Sequence, residues 1–374
     1  MKKNWLYLLL IIVTPLLIFS CKKDTSATTL VGNWSEPGQI KGYRVGAISF
    51  TIGDIAYYGL GYNQNNKPNQ RYLKDFYKYD CVTNQYTKLA DLPGPGRSDA
   101  VAFSINGRGY IGTGYNGDDV NGIYYLNDFW EYNPATDTWT KMSHLKAETM
   151  DPNNIGRRNA VAFAIDNYGY VGTGLNNNNY LNDFWKFTAN ADSGVWVNVA
   201  DLPFARANAA TFVLTDPTDN VTKGYVVTGD NNTSYGHSGG ADRLYAYNPV
   251  TNIWEKKRDI ANTSTTDSYD DNYNIVRSNA VALVWSDGNK TKAYVTTGTN
   301  NYTALDDTWE YDPGTDLWIQ KTNFEGGARS SAFGFSIKDN ANKIRIFVAG
   351  GKSGSSLFSD IWEFNPNAVY DAFN

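Results

Sequence analysis

Apolar residues in this chain come in short β-type runs separated by Gly, Asn, Asp and Pro, and the pattern repeats along its length. The stretch that starts at Arg97 shows the unit most plainly. Small and apolar residues over 97–105 predict a first strand, a. Asn106 and Gly107 supply hairpin-turn chemistry, and 110–114, a β-type run with two glycines, predicts strand b. A loop leads to strand c over 126–132, Asn133 and Pro134 turn the chain, and Trp139 opens strand d. Four short strands joined in this way form one small antiparallel sheet.

The unit recurs six times. Arg44, Arg97, Arg157, Arg206, Arg277 and Arg329 each open strand a, and three residues on stand Ala47, Ala100, Ala160, Ala209, Ala280 and Ala332. The arginines are 53, 60, 49, 71 and 52 residues apart, and self-similarity near 50 residues predicts a radial array of small sheets. Tyr79 to Tyr86, Tyr132 to Trp139, Tyr247 to Trp254 and Tyr311 to Trp318 are each seven residues apart across the c–d turn; only Phe187 to Trp196 is longer, at nine. The sixth repeat ends at Asn365-Pro366 with no following Trp, while Trp34 stands ten residues before Arg44. The N-terminal strand should therefore complete the last blade and close both open edges. The expected fold is all-β, a six-bladed propeller.

These residues resemble the kelch repeat over 30–366. The strand-b glycine pair stands whole in Gly350-Gly351, spaced out in Gly59 and Gly61, Gly112 and Gly114, and Gly172 and Gly174, and reduced to Gly229 and Gly298. The resemblance implies a kelch β-propeller of the galactose oxidase central-domain-like superfamily.

The ends and the charge narrow the setting. Residues 1–20 carry Lys2, Lys3 and an apolar stretch, which predicts a secretory signal. The ending Ile18-Phe19-Ser20-Cys21 resembles a bacterial lipobox, which implies lipidation at Cys21, a polar tether over 21–29 and a propeller over 30–374. Lys22 after the cysteine favours the outer membrane of a Gram-negative envelope, with the lipid as the sole membrane contact. Losing Lys2 and Lys3 makes a chain of net charge −5 more acidic still. It has no basic cluster for a phosphate backbone, so nucleic acid is not an expected partner. With Cys21 lipidated, Cys81 has no partner for a disulfide. A monomer is expected.

Antiparallel order places the d–a and b–c connections on one face, with the arginines and the variable loops. A ring of guanidiniums suits a carboxylate or other anion, and in kelch adaptors arginines at matching positions line the mouth of the central pocket. Arg44, Arg97, Arg157, Arg206, Arg243, Arg277 and Arg329 are therefore candidate ligand residues. The alternative is internal pairing, because strand c opens with Asp75, Asp128, Asp183, Asp307 and Asp360 on the same face. The fourth repeat has Arg243 in place of that aspartate, which makes Arg206 and Arg243 the best anion site. Asn- and Tyr-rich loops such as 62–72 and 175–180 suggest sugar recognition. Trp130, Trp185, Trp309 and Trp362 are expected to pack between blades.

Enzymatic readings are constrained. Galactose oxidase chemistry needs a copper site with two His and two Tyr ligands, whereas the histidines here are His144 and His237, and Cys81 falls on the opposite face. Zinc lacks ligands for the same reason. No cofactor or metal is expected. The leading expectation is a non-enzymatic envelope module that binds a glycan or an envelope protein. The alternative is a sugar mutarotase resembling N-acetylneuraminate epimerases, with Glu148 or Glu325 as the proton-transfer group.

Overall fold

The computed structural model describes residues 31–371 except 120, 121, 123, 146–155, 178, 232–241, 267, 340 and 342. Among these residues all regular structure is β, in a propeller-like arrangement of small sheets. Four antiparallel sheets of four strands stand separately. The first holds Ile48–Ile52, Ile55–Gly59, Phe76–Asp80 and Gln85–Leu89; the second holds Val101–Ile105, Arg108–Gly112, Phe129–Asn133 and Thr138–Met142. The third and fourth open at Val161–Ile165 and Ala210–Asp216. The remaining long strands form one eight-stranded sheet, whose halves touch through the single pair Ser286 and Ile344. At its edge Asn33–Gln39 runs antiparallel to Asp360–Asn365, with Asn33 opposite Asn365 and Gln39 opposite Asp360.

Local sequence explains the units. In Val101–Ile105 alternate residues Val101, Phe103 and Ile105 are buried, as period two requires of a half-buried strand. Asn106 and Gly107 both have positive φ (51° and 70°), the two-residue turn whose twist matches its strands. Neighbouring sheets pack through aromatic rings laid on glycine. A Cβ on Gly169 would come within 2.2 Å of the Phe103 ring of the preceding sheet, so the position admits no side chain.

Two expected strand limits are corrected. The arginines do not begin strand a; Val101 does, four residues after Arg97. The residue two after each arginine is left-handed: Gly46 (φ 59°), Asp99 (56°), Asn159 (53°), Asn208 (57°), Asn279 (55°) and Ser331 (52°). That conformation interrupts an extended chain and favours Gly, Asn and Asp. Strand b likewise stops at Gly112, because Thr113 (φ 61°) and Gly114 (φ 106°) leave the β region.

Those left-handed residues join the sheets. The amide of each donates to the carbonyl of its counterpart in the adjacent repeat: Asp99 to Gly46, Asn159 to Asp99, Asn208 to Asn159, Asn279 to Asn208, Ser331 to Asn279 and Gly46 to Ser331, at 2.9–3.1 Å. The series closes on itself. A second closed series runs from Gly61, Gly114, Gly174, Gly229, Gly298 and Gly351 to the carbonyls of Arg97, Arg157, Arg206, Arg277, Arg329 and Arg44, at 2.8–3.0 Å.

Trp34 anchors the N-terminal strand. It is 1 % exposed, stacks on Phe364 at 4.6 Å, meets the Phe324 edge-on at 4.7 Å, and donates its indole N–H to the Thr322 carbonyl. Trp34→Ala is expected to destabilise the protein by about 3–5 kcal/mol, read as a lower denaturant midpoint.

Candidate functional site

Among the described residues, five of the six ring arginines form internal ion pairs with an aspartate. Arg44, Arg97, Arg157, Arg277 and Arg329 are 0–1 % exposed. Each makes a two-pronged contact with the strand-c aspartate: Arg97 to Asp128 at 2.6 and 2.8 Å, Arg157 to Asp183 at 2.6 and 2.7 Å, and Arg277 to Asp307 at 2.7 and 2.6 Å. Arg329 grips Asp360 at 2.5 and 2.8 Å, and Arg44 grips Asp75 at 3.2 and 3.0 Å. Nη1 of each also donates to a left-handed residue's carbonyl, at Leu60, Thr113, Thr173, Thr297 or Gly350. The indoles of Trp130, Trp185, Trp309 and Trp362 donate to the same carboxylates. The expectation that these five arginines present an anion site is corrected: their forks already hold carboxylates below the surface.

The fourth repeat differs. Arg206 is buried, and its Nη1 donates to the carbonyls of Thr228 (3.0 Å) and Arg243 (3.3 Å). Burial pushes it down to about 10, with Tyr245 and Asp242 pulling the other way. Arg243 is 34 % exposed, lies over the Phe204 ring at 4.7 Å, and has Asp242 at 3.7 Å. Glu325 does not line the funnel; burial pushes its carboxyl up, against the bonds it accepts from Tyr370 and the Trp34 amide. Cys21 and Glu148 lie outside the described residues.

What the ring positions create is a funnel of about 650 Å³ on the face of the variable loops. Around it, single bridges pair the residue after each arginine with the residue after each strand-b glycine: Val45 with Tyr62, Ser98 with Tyr115, Arg158 with Leu175, Ala207 with Asp230, Ser278 with Thr299, and Ser330 with Lys352; all but Ala207 and Ser278 line its wall. Its floor is formed by Asp99, Asn159, Asn208, Asn279 and Ser331 of the closed amide ring. Below that, a cavity of about 150 Å³ is lined by the ring and the six repeat alanines.

The wall is chemically lopsided. Tyr62, Tyr72, Tyr115 and Tyr125 form a ladder with successive centroids 5.0, 5.8 and 5.3 Å apart. Burial pushes the Tyr72 phenol up to about 12, although the Gly117 amide bonds to it. Arg158 lies 4.6 Å over Tyr115, and its Nε has no hydrogen-bond acceptor among the described residues. Across the mouth, Asp230 accepts from Tyr180 (2.7 Å) and from the Asn208 amide (2.8 Å). Asp99 accepts from the Ser98 hydroxyl at 2.9 Å, and burial raises its carboxyl above the ordinary range despite that bond and the Arg158 and Lys352 charges. The funnel offers cations, aromatic faces and acceptors to one small ligand.

The sequence reasoning had not singled out Arg158, Lys352, Asp99 or Asp230. The signal was present. Arg158 fills a column otherwise occupied by Val45, Ser98, Ala207, Ser278 and Ser330, and Lys352 fills one that holds Tyr62, Tyr115, Leu175, Asp230 and Thr299. Columns read relative to the arginine and the glycine, rather than the arginine itself, face the axis.

No family model matches the chain. The chain is 33% identical over 130 residues to the N-acetylneuraminate epimerase of Pasteurella multocida (strain Pm70), covering 35% of this chain and 32% of that protein. It is 32% identical over 108 residues to that of Escherichia coli (strain K12), covering 28% and 27%, and 29% identical over 99 residues to that of Haemophilus influenzae (strain PittEE), covering 26% and 24%. The matches span about a third or less of these curated relatives. The solved structure of YjhT superposes with a TM-score of 0.62 over 86% of this chain and 95% of its own, at 17% identity. That likeness concerns the propeller fold.

The ion pairs carry a pH signature. Burial opposes ionisation of Asp128, but the Arg97 bonds prevail and hold its carboxyl below the usual range; Asp183 behaves alike with Arg157. A depressed carboxylate stabilises fully above its unfolded value of about 4, and that stabilisation fades as the pH falls through the folded value. Asp128→Asn is expected to cost about 3 kcal/mol at pH 7, since it strands a buried arginine. The loss should shrink in denaturant titrations below pH 4.

Proposed function

We propose that this chain is a six-bladed kelch-type propeller that binds a carboxylated sugar in the axial funnel and interconverts its anomers. The six-blade count rests on the eight-stranded sheet being two blades that share one bridge, and on six repeats contributing to each closed amide ring. The observation that carries the functional reading is the pair of cations at the mouth. Among the described residues, neither Arg158 nor Lys352 lies within ion-pair distance of a carboxylate; both line the funnel, and Arg158 stands over Tyr115 of the tyrosine ladder. A guanidinium and an ammonium recognise a sugar carboxylate, and tyrosine faces pack on a sugar ring. The partial similarity to N-acetylneuraminate epimerases supports the same substrate class. Mutarotation needs no cofactor, only a group that moves protons at the anomeric hydroxyl and the ring oxygen.

A glycan-binding module without turnover is the second reading, favoured by the tyrosine rim, and uses the same funnel. Exchange NMR with N-acetylneuraminate separates the two. Exchange between anomers faster than in buffer, saturating with sugar, supports the enzyme; saturable binding with buffer-rate exchange supports the module. The absence of both effects would sink both readings. Arg158→Gln is expected to weaken binding roughly tenfold, as loss of a charge-assisted hydrogen bond of about 1.5 kcal/mol implies. Titration calorimetry checks it.

We place the protein in the Gram-negative envelope on the strength of its first 21 residues, with Cys21 as the lipid attachment site. Cys21→Ser should abolish labelling by a clickable palmitate analogue and release the protein from the membrane fraction; unchanged labelling would refute the assignment.

A further inference from the structure

Among the six left-handed positions of the closed amide ring, one alone is a carboxylate. Gly46, Asn159, Asn208, Asn279 and Ser331 fill the others, and Asp99 fills the sixth. The neighbouring position is shaped for it. A Cβ on Gly46 would come within 2.1 Å of Asp99 Oδ1, so the glycine leaves the space into which that oxygen extends. Asp99 lines the funnel; its Oδ2 accepts from Ser98, whereas Oδ1 takes no hydrogen bond among the described residues. Arg158 and Lys352 are the charged groups that act on this carboxyl, from the wall above it.

We infer that Asp99 is the acid–base residue of the funnel and transfers the protons that open and close a sugar-acid ring. This rests on the mutarotase reading. The step balances within one carboxyl group. Oδ1 accepts the proton of the anomeric hydroxyl as the anomeric carbonyl forms. The bond from the anomeric carbon to the ring oxygen breaks, that oxygen keeps the electron pair, and it takes the proton held by the Asp99 carboxyl. Rotation at the new carbonyl and re-addition of the hydroxyl to its other face reverse both transfers, with no oxidant or co-reactant. Burial raises the Asp99 carboxyl, the direction that helps it hold this proton.

The fold supplies a clean substitution. Asn occupies three sibling positions with φ of 53–57°, so Asp99→Asn keeps the backbone and the amide ring. With the intact protein and N-acetylneuraminate, the anomer-exchange rate at saturation should fall about 100-fold or more. The Kd from calorimetry should stay within about twofold of the parent, a margin of roughly 0.4 kcal/mol, and the thermal midpoint should be unchanged. The wild-type rate should decline as pH rises through the Asp99 value, and the variant should lose that limb; Asp99→Glu should recover part of the rate. Wild-type exchange in Asp99→Asn, or a rate loss accounted for by weaker binding, overturns the inference. Buffer-rate exchange by the wild-type protein instead defeats the mutarotase reading and takes this inference with it.

Discussion

Everything in this molecule depends on a backbone constraint: six residues, one per repeat, must be left-handed so that their amides and carbonyls bond in a closed ring around the axis. A hydrogen-bonded ring has no open end. Each small sheet is thereby tied to both neighbours, and the last repeat is tied to the first. The glycines after strand b make the second closed ring, whose acceptors are the carbonyls of the repeat arginines. Sheets too small to be stable alone become one array.

The Arg–Asp pairs serve the same end. Each guanidinium spans its own sheet, from the loop before strand a to the carboxylate at the start of strand c, and also bonds the carbonyl at the strand-b bend. A planar five-donor fork satisfies several acceptors at once, which lysine cannot do. Burial makes such pairs costly to break from one side and stabilising only when complete. The most conspicuous polar residue of the repeat is thus a structural fastener, and four of the six residues that follow it in the chain line the funnel.

The repeat length, the hairpin turns and the extra N-terminal strand were legible because they are local: turn residues, period-two runs and a Trp at a set distance from each arginine. The pairing partners Asp75, Asp128, Asp183, Asp307 and Asp360 were legible too, since strand order puts them on the arginine face. The site was not. Arg158 stands directly beside Arg157, and only its column across the six repeats sets it apart: one is buried against Asp183 and the other stands over Tyr115 in the funnel wall. The left-handed residue between arginine and alanine decides which neighbour turns inward.

By itself the sequence determined the β class, the sixfold repeat and the face carrying the arginines, because turn chemistry and side-chain periodicity act over a few residues. Only the tertiary structure decided which cations remain at the mouth. Convergence on an axis brings residues 60 to 254 positions apart, such as Ser98, Arg158 and Lys352, into one funnel wall, and burial then sorts equal charges into fasteners and funnel-lining groups. That sorting is a property of packing, and no single repeat contains it.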